Sequence, residues 1–378
     1  MRIFYCAQGS PNETALAHSK LWYVNLCLPL QDLGHEVIQF DHHYLHAAYN
    51  LDPERSTDQL IIAKHRTQFG DELLTELKTI HRRTPIDIFF SYFSSAHVEP
   101  DVIRAIGNMG IVTINWYCNA SYQFRLVKDL APAYHYSLVP EKFRLEDYRH
   151  AGANPIFCQE AANPNVYTAY DVPRDLDVTF VGQKYGDRSM YIEALVQAGV
   201  DVRVWGPHWA TVCGDIPRWT QFTSGIMHVL RGKARSWMAN GHAWRYGSPL
   251  TDEELIKMYS RSKVSLGFSR VADLSTQIRQ VRLRDIEAPM SGAFYLTEYC
   301  EELEECFDIG REIVCFKNAE DLVDKAKYFL AHDSERERIR HAGMRRARKD
   351  HSWHRRFADI FETIGMNERV WNCGHSST

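Results

Sequence analysis

The sequence predicts an α/β protein with two doubly wound domains, each built on a parallel sheet between layers of helices. Short apolar runs alternate with longer segments of helical periodicity along most of the chain. This alternation is typical of parallel strands joined by crossover helices. The chain has 378 residues, which is too many for one ordinary hydrophobic core, so we expect two domains.

The predicted strands fall into two groups of similar design. In the first half of the chain they cover residues 2–7, 36–40, 86–92, 111–116, 135–139 and 155–158. In the second half they cover residues 177–181, 202–205, 263–268, 293–297 and 312–316. Segments between them, such as residues 71–81, carry apolar side chains at i, i+3 and i+4 spacing, which predicts amphipathic helices.

A turn-rich segment separates the two groups of strands. Residues 160–174 contain several Asn and Pro turns and predict a linker. We therefore expect a first domain over residues 1–165, a second over residues 175–350, and a helix and tail over residues 351–378. Residues 207–249 break the alternation and are rich in tryptophan, which indicates an insertion. It is either a lid or acceptor wall, or a subdomain that only stabilises the fold.

The composition excludes some classes of protein. Hydrophobic residues make up 45% and charged residues 24% of the chain, and the net charge is −4, so there is no global reason to expect binding to nucleic acid or to an anionic membrane. No apolar run approaches the roughly 20 residues of a membrane span. Nine cysteines without CxxC spacing indicate reduced thiols rather than disulfides or zinc. With no signal-peptide pattern at the start, these features predict a cytoplasmic protein.

The first candidate site is FVGQKYGDR, residues 180–188. A buried strand ends at Gly182, a polar turn follows, and a helix begins near Arg188. Glycine lets the backbone approach a ligand, and the N–H groups of a helix N-terminus favour phosphate. Lys184 and Arg188 can add positive charge against a diphosphate. The segment matches neither GxGxxG nor the P-loop pattern, which counts against a nicotinamide-dependent oxidoreductase, and a plain strand-to-helix turn is the alternative.

The second candidate site combines charged residues with a turn. Arg282, Arg284 and Glu287 precede Ser291 and Gly292, which open the next strand. If this segment is helical, the residues at 284 and 287 are i, i+3 neighbours, and the alternative is a surface ion pair worth about 0.5 kcal/mol. The functional interpretation is a carboxylate that accepts ribose hydroxyls beside arginines that neutralise a diphosphate.

The third segment is DVRVWGPHW, residues 201–209, in which a strand ends at Trp205 and Gly206. The three segments together, with KVSLGFS, EIVCFKNAEDLVDKAKYFL and DHSWHRR, resemble the CgeB-like glycosyltransferases. The resemblance covers residues 134–357 except the insertion, and it fades in the first domain. It implies the GT-B architecture: two Rossmann-like domains that face each other across a cleft, with a C-terminal helix that returns to the first domain.

The resemblance also implies roles for the three segments. Glu287 corresponds to the ribose-binding glutamate of GT-B enzymes, and the Trp-Gly turn at Gly206 faces the donor base or its entrance. The second domain is expected to bind a nucleotide-sugar donor as substrate, and the first to face the acceptor. The chain departs from the retaining enzymes, which carry a second glutamate eight positions earlier, because Arg279 occupies that position. Inversion or retention therefore stays open.

The first domain offers candidate residues at the ends of its predicted strands. These are Gly9, Ser10, Asn12, Asp41, His42, His43, His97 and residues 116–119. An inverting transferase needs a general base for the acceptor hydroxyl, and His97 is our candidate for that base, against the alternative of a hydrogen-bonded loop residue. No third ligand accompanies the His pair, so we expect no metal site. Asp175 and Asp177 have the spacing of a DxD metal motif, but they run into a strand, and we interpret the match as coincidence.

The sequence thus predicts a metal-independent transfer of a sugar from a nucleotide sugar to a hydroxyl group. The acceptor is not specified: it can be a glycan, a protein or a small molecule. Two alternatives stay open. One is a non-catalytic GT-B shell that binds a nucleotide or a glycan. The other is transfer to modified bases in DNA, where the basic run at residues 231–235 contacts phosphates, although the net negative charge argues against it.

Overall fold

A computed structural model describes residues 1–7, 20–49, 51–209, 245–247, 250–271 and 278–366. These residues form two compact units. The first consists of Met1–Asn163 with Ser352–Thr378, and the second of Pro164–His351. The predicted insertion lies outside the described residues except at its two ends, and so does its basic run at residues 231–235.

The first unit contains one parallel sheet with helices between successive strands. Its elements in chain order are β1 (Arg2–Cys6), α1 (Leu28–Asp32), β2 (Glu36–Gln39), α2 (His43–Tyr49), α3 (Ser56–Arg83), β3 (Ile88–Ser91), α4 (Pro100–Gly107), β4 (Val112–Trp116), α5 (Ala120–Gln123), β5 (Tyr136–Val139), α6 (Leu145–His150) and β6 (Pro155–Phe157). A π-helical turn, Tyr23–Cys27, leads into α1. The strand order is β2-β1-β3-β4-β5-β6, and every pairing is parallel.

Both faces of this sheet are buried, which explains why its strands are nearly continuous apolar runs. Along β1, Ile3 and Tyr5 belong to one hydrophobic cluster, while Phe4 and Cys6 belong to another. Successive side chains of a strand point to opposite faces, so a single five-residue strand contributes to both layers of the core.

The last helix, α13 (Trp353–Thr363), packs in the first unit although it follows the second unit in the chain. Trp353 stacks edge-on against Trp116 at 5.0 Å between ring centroids, and Phe357 does so against Phe90 at 5.7 Å. The backbone N–H of Trp353 donates to the carbonyl oxygen of Ala162 at 3.2 Å. An amphipathic C-terminal helix therefore completes the core of the N-terminal sheet.

The second unit repeats the architecture. Its elements are β7 (Leu176–Val181), α7 (Arg188–Gln197), β8 (Val202–Trp205), β9 (Arg245–Gly247), α8 (Asp252–Arg261), β10 (Ser262–Gly267), α9 (Leu283–Met290), β11 (Tyr295–Glu298), α10 (Leu303–Cys306), β12 (Val314–Phe316), α11 (Ala319–Ala331) and α12 (Asp333–Asp350). The strand order is β12-β11-β10-β7-β8-β9, again with every pairing parallel.

The predicted fold class is confirmed, since both units are parallel α/β sheets. Every strand predicted from the apolar runs is present, with bounds that shift by at most two residues. The prediction missed β9, because a three-residue edge strand inside the insertion shows no apolar run of its own. Among the described residues, no helix is both long and apolar enough to cross a membrane.

Candidate functional site

The candidate site lies in the second unit, at the carboxyl ends of β7 and β10. The chain leaves β7 towards β8 on one side and returns through β10 on the other, so the strand order reverses between these two strands. In open parallel sheets, ligands bind outside the carboxyl ends of the strands at such a reversal. The loop after β7 and the loop after β10 therefore form the walls of the expected binding region.

Two glycines hold the loop after β7 close to the end of β8. Gly206 has a φ of +138°, and a Cβ on it would lie 2.3 Å from the carbonyl oxygen of Gly182. The Gly182 N–H donates to the Trp205 carbonyl oxygen at 2.8 Å, and the Trp209 indole N–H donates to the Gly182 carbonyl oxygen at 2.7 Å. The N–H of Lys184 donates to the Pro207 carbonyl oxygen at 3.1 Å. These backbone groups already have hydrogen-bond partners within the loop. We therefore expect side chains to supply most of the contacts with a bound anion.

Replacing Gly206 with alanine is expected to lower the free energy of unfolding by about 3 kcal/mol, because the new methyl group meets backbone at a φ that side chains rarely adopt. Urea unfolding of the variant measures this. Gly310→Ala is the matched control, since Gly310 also has positive φ, +88°, but open space around the new Cβ. The control should lose only about 1 kcal/mol. Equal losses of unfolding free energy in the two variants would show that the contact of the new methyl group with Gly182 adds no destabilisation.

Arg188, the first residue of α7, is a buried cation. Its side chain lies over the Tyr185 ring at 3.7 Å and near the Phe180 and Phe268 rings, and the residue is only 8% exposed. Nη1 donates to the Gln183 carbonyl oxygen at 2.9 Å. Burial is the main cause that lowers the pKa of this guanidinium to about 10. Arginine therefore stays charged at neutral pH, but its charge is held away from water.

Arg282 reaches the same place from the other loop. It caps the N-terminus of α9, where its backbone N–H donates to the Asp285 carboxylate at 2.6 Å. Its Nη2 donates to the phenol oxygen of Tyr185 at 3.0 Å and lies 3.4 Å from the Arg270 carbonyl oxygen. Arg270 in turn pairs with Asp187 at 2.8 Å. These contacts tie the loop after β10 to the loop after β7.

Arg188 and Arg282 thus form a pair of guanidiniums at the strand reversal. Within the described part of the chain, neither makes an ion pair with a carboxylate. Besides burial, the positive charges of Arg282 and Arg284 lower the pKa of Arg188, so both lie close enough to act on it. An array of close, partly desolvated cations beside a helix N-terminus is suited to a multivalent anion such as a diphosphate. Lys184 is half-buried in the same loop.

Glu287 lies in the second turn of α9 and is 2% exposed. Side chains of a helix lean towards its N-terminus, so this carboxylate is directed to the edge of the sheet at which Arg282 lies. Its Oε2 is 3.9 Å from Nη1 of Arg284, which also donates to the phenol oxygen of Tyr259 at 2.8 Å. The i, i+3 relation predicted from the sequence is confirmed, but the pair is buried on the Glu287 side rather than a solvated surface pair.

Three further groups of this edge were given no role in the site from the sequence. Asp285 is fully buried and accepts from the Thr297 hydroxyl at 3.0 Å; burial raises its pKa, although its hydrogen bonds oppose the shift. Glu298, the last residue of β11, accepts from the N–H groups of Ser269 and Arg270, both at 3.2 Å. Arg279 donates its Nε–H to Glu298 at 2.9 Å. Only their position at strand or helix ends could have drawn attention to them.

Gly292 does not join this group. It precedes β11 and therefore lies at the amino end of the strand, whereas the other candidates lie at the carboxyl ends. Its φ is +75°, and its carbonyl oxygen accepts from Arg174 at 3.1 Å and from Arg340 at 3.3 Å. Because α9 runs antiparallel to the strands, its two ends are at opposite edges of the sheet. The structure therefore gives Gly292 a turn-forming role and no position at the expected ligand.

His97, the candidate general base of the first unit, is 1% exposed. Its ring stacks on Phe93 at 5.0 Å, and its Nδ1 accepts from the Ser94 N–H at 3.1 Å. Burial lowers its pKa to about 3. A buried, neutral imidazole of this kind is suited to holding a loop rather than to taking a proton from a bound hydroxyl, so its position does not support the predicted base role.

The same burial predicts sensitivity to acid. His97 is neutral in the folded state but is protonated in the unfolded state below about pH 6.5, so the unfolded state binds more protons and stability falls as the pH drops from 6.5 towards 3. Between pH 7 and pH 5 the expected loss from this residue is about 2 kcal/mol. Urea unfolding at both pH values should show a smaller loss in His97→Gln than in the unsubstituted protein. Equal losses of unfolding free energy in the two proteins would contradict a buried, neutral His97 in the folded state.

Other candidates of the first unit form local contacts or lie outside the described residues. His42 bonds to Glu72 at 2.8 Å, and its ring packs at 4.3 Å from that of His43. Gly9, Ser10 and Asn12 are outside the described residues. Across residues 1–7, 20–49, 51–209, 245–247, 250–271 and 278–366, no group of three His, Cys, Asp or Glu side chains is placed to hold a metal ion.

Asp175 and Asp177, which share the DxD spacing, both form ion pairs. Asp175 accepts from Arg261 at 2.9 and 2.5 Å, and Asp177 accepts from Lys263 at 2.7 Å. Arg261 ends α8, and Lys263 lies at the start of β10, the strand that neighbours β7. The two carboxylates therefore join adjacent strands at their amino ends, away from the strand reversal.

Comparison with known proteins points to the same half of the chain. Residues 188–362 match the family model described as Glycosyl transferase-like. The match begins at the first residue of α7 and includes Arg188, Arg282, Arg284 and Glu287. No curated protein matches the chain. The chain therefore carries a glycosyl transferase-like segment, which contains the three arginines of the candidate site.

Solved structures match over nearly the whole chain. Sucrose-phosphate synthase from Thermosynechococcus elongatus has a TM-score of 0.61 and 11% identity, covering 98% of this chain and 99% of its own. HepE from Anabaena in complex with UDP has a TM-score of 0.59 and 13% identity, covering 97% and 100%. Its complex with UDP-glucose has a TM-score of 0.57 and 10% identity, covering 97% and 99%. At such identities the likeness shows the fold alone, which is of the GT-B type.

Proposed function

We propose that this chain is a glycosyltransferase that moves a sugar from a nucleoside diphosphate sugar to a hydroxyl group of an acceptor. The observation that carries the proposal is the convergence of Arg188 and Arg282 at the strand reversal, within the segment that matches the glycosyl transferase-like model. A buried carboxylate, Glu287, lies on the helix that Arg282 caps. Cations and a carboxylate on adjacent elements suit a ligand that has both a diphosphate and a ribose.

In this proposal Arg188, Arg282, Arg284 and Lys184 face the diphosphate. When the bond between the sugar and the diphosphate oxygen breaks, the leaving group takes both electrons of that bond and gains negative charge. Fixed cations stabilise this charge more in the transition state than in the bound donor, and that difference accelerates the reaction. Arg188 is well suited because it is already desolvated and ordered, so it needs little reorganisation.

Glu287 is proposed to accept hydrogen bonds from the ribose hydroxyls. A carboxylate accepts up to four hydrogen bonds, and two neighbouring hydroxyls can share its two oxygens. The guanidinium of Arg284, 3.9 Å away, is proposed to orient this carboxylate. Gly182 and Gly206 contribute by bringing the loop and strand ends together rather than by direct contact, since the N–H of Gly182 is already bonded.

The donor is proposed to carry uridine, because HepE, with the same fold, binds UDP and UDP-glucose. We further propose that the transfer needs no metal ion, that the transferred sugar is a hexose, that the first unit faces the acceptor, and that the protein acts in the cytoplasm. We also propose that it belongs to the CgeB-like group of glycosyltransferases, which its segments FVGQKYGDR and DVRVWGPHW resemble. The acceptor hydroxyl must give its proton to a base or to water, and no residue is assigned that role.

A two-stage experiment tests the function. The purified protein is first melted in the presence of UDP, GDP, ADP, CMP and dTDP and of their sugar conjugates. A ligand at 100 times its Kd adds about 2.7 kcal/mol of stability, which gives a clear shift of the melting temperature. We expect a selective shift with UDP and its conjugates. The sugar conjugate that binds is then incubated with the protein, and release of UDP is measured with and without EDTA.

The outcomes separate the candidate functions. Release of UDP that continues in EDTA supports a metal-independent transferase. Binding of a nucleotide without any consumption of its sugar conjugate supports the non-catalytic shell instead. If the protein neither binds a nucleotide nor consumes any sugar conjugate, the proposal is contradicted. Steep salt dependence, with activity only on DNA, would favour transfer to modified bases.

A further inference from the structure

Two arginines donate to one neutral oxygen at the strand reversal. The phenol oxygen of Tyr185 accepts from Nη2 of Arg188 at 2.5 Å and from Nη2 of Arg282 at 3.0 Å. A phenol oxygen has two lone pairs, so both are engaged. Within the described residues, neither guanidinium makes an ion pair. Two partly desolvated cations thus share an acceptor that carries no charge.

A neutral phenol is a poor final partner for two guanidiniums. Hydrogen bonds in which both the donor and the acceptor are ionised are shorter and stronger than those with a neutral partner. An oxygen of a phosphoryl group at the same point would receive the same two N–H donors and would also neutralise their charge. A bound anion is therefore expected to replace the Tyr185 phenol as the acceptor of these two N–H donors.

The turn that carries Tyr185 is partly exposed, and Tyr185 itself is half-buried. It lies between Gly182 and Gly186, and the latter has a φ of +59°. Gln183 and Gly186, on either side of the segment, are exposed. The Tyr185 ring is also held by its contact with Arg188, whose Cζ lies 3.7 Å from the ring centre. Because the Tyr185 side chain is only half-buried, displacement of its phenol requires rotation of that side chain and no change in β7 or α7.

We propose that Tyr185 is an internal competitor, whose phenol oxygen occupies the place of a phosphoryl oxygen between Arg188 and Arg282 until a ligand displaces it. The identity of the ligand as a nucleoside diphosphate rests on the proposed function, whereas the competition itself does not. In the free protein the phenol keeps the two guanidiniums ordered and apart from bulk water. The cost is a weaker apparent affinity, because each binding event must first break two hydrogen bonds.

The proposal makes a prediction of definite sign. If Tyr185 only supported the arginines, then removing its hydroxyl would weaken binding of an anion. If it competes with the anion, removal strengthens binding. Tyr185→Phe keeps the ring and its packing and removes only the oxygen. We expect the Kd for UDP and for inorganic pyrophosphate to fall about tenfold, as expected for hydrogen bonds to charged groups.

Isothermal titration calorimetry with both probes tests this. Tyr328→Phe is the matched control, because Tyr328 lies on α11 of the same unit and its hydroxyl donates to Glu335 at 2.8 Å on the exposed surface. The control should bind both probes as the unsubstituted protein does. The free Tyr185→Phe protein should also melt at a lower temperature than the control, since its two guanidiniums lose their shared acceptor. An unchanged or raised Kd for both probes, or no binding of either probe to any of the proteins, overturns the proposal.

The outcome is separable from that of the proposed function. Tighter binding of pyrophosphate to Tyr185→Phe, with no sugar conjugate consumed by any form of the protein, supports the competition and contradicts the transferase. Consumption of a sugar conjugate, with no gain in affinity in Tyr185→Phe, supports the transferase and contradicts the competition.

Discussion

Replacing Arg282 with alanine is expected to lower kcat/KM for sugar transfer at least 100-fold. Arg282 is one of two cations that meet at the strand reversal, and a single donor to a developing negative charge is typically worth about 100- to 1,000-fold in kcat. Arg282 is a half-buried residue at the N-terminus of a helix and is not part of the hydrophobic core. The variant should therefore stay folded. Initial rates of UDP release over a range of donor concentrations measure the effect.

Arg311→Ala provides the control for that experiment. Arg311 belongs to the same unit, but its side chain is 77% exposed and pairs with Asp308 at 3.3 Å on the surface. Its loss should leave kcat/KM within about twofold, since exposed ion pairs contribute little. Arg282→Lys should recover part of the rate, because it keeps a charge but not the planar fork of donors. Full activity in folded Arg282→Ala would remove Arg282 from the site.

Replacing Glu287 with glutamine is expected to raise the Kd for UDP about 10- to 100-fold while leaving the Kd for inorganic pyrophosphate nearly unchanged. The amide keeps the volume of the side chain but accepts hydrogen bonds at one oxygen and without charge, and hydrogen bonds to charged groups contribute about 1.5–3 kcal/mol. Pyrophosphate has no ribose, so it reports only on the cations. Calorimetric titration with the two probes separates the two parts of the site.

Glu253→Gln is the control, because Glu253 lies on α8 of the same unit, is 66% exposed and pairs with Lys257 on the surface. Equal weakening of UDP and pyrophosphate in Glu287→Gln would mean that the glutamate acts by orienting Arg284 rather than by contacting ribose. Unchanged affinity for both probes in a folded variant would reduce Glu287 to a structural partner of Arg284, 3.9 Å away.

The candidate site was predicted in part from local sequence patterns. A charged helix before a Ser-Gly turn drew attention to Arg282, Arg284 and Glu287, and a glycine-containing turn drew attention to Arg188. These residues do lie on elements that meet at the strand reversal. Tyr185 was not singled out, although it lies within the quoted segment, because nothing local distinguishes a turn tyrosine that accepts from two arginines.

Two predicted residues have surroundings that no local sequence pattern reveals. Gly292 follows the charged helix closely in sequence, but α9 runs from the carboxyl edge of the sheet to the amino edge, so Gly292 is carried to the far side. His97 follows a strand, as a catalytic residue often does, but it is packed against Phe93 and is almost fully buried. Burial depends on which distant segments pack over a loop.

The sequence by itself determined the alternation of strands and helices and the two-unit α/β design, since these depend on the period of apolar residues along short stretches. It also determined which segments carry cations and carboxylates. Only the tertiary structure decided which of these side chains meet. Tyr185 and Arg282 are 97 residues apart in the chain and touch because β7 and β10 are neighbours in the sheet. Strand order is set by the packing of the whole unit, and the convergence of charge at its reversal follows from that order.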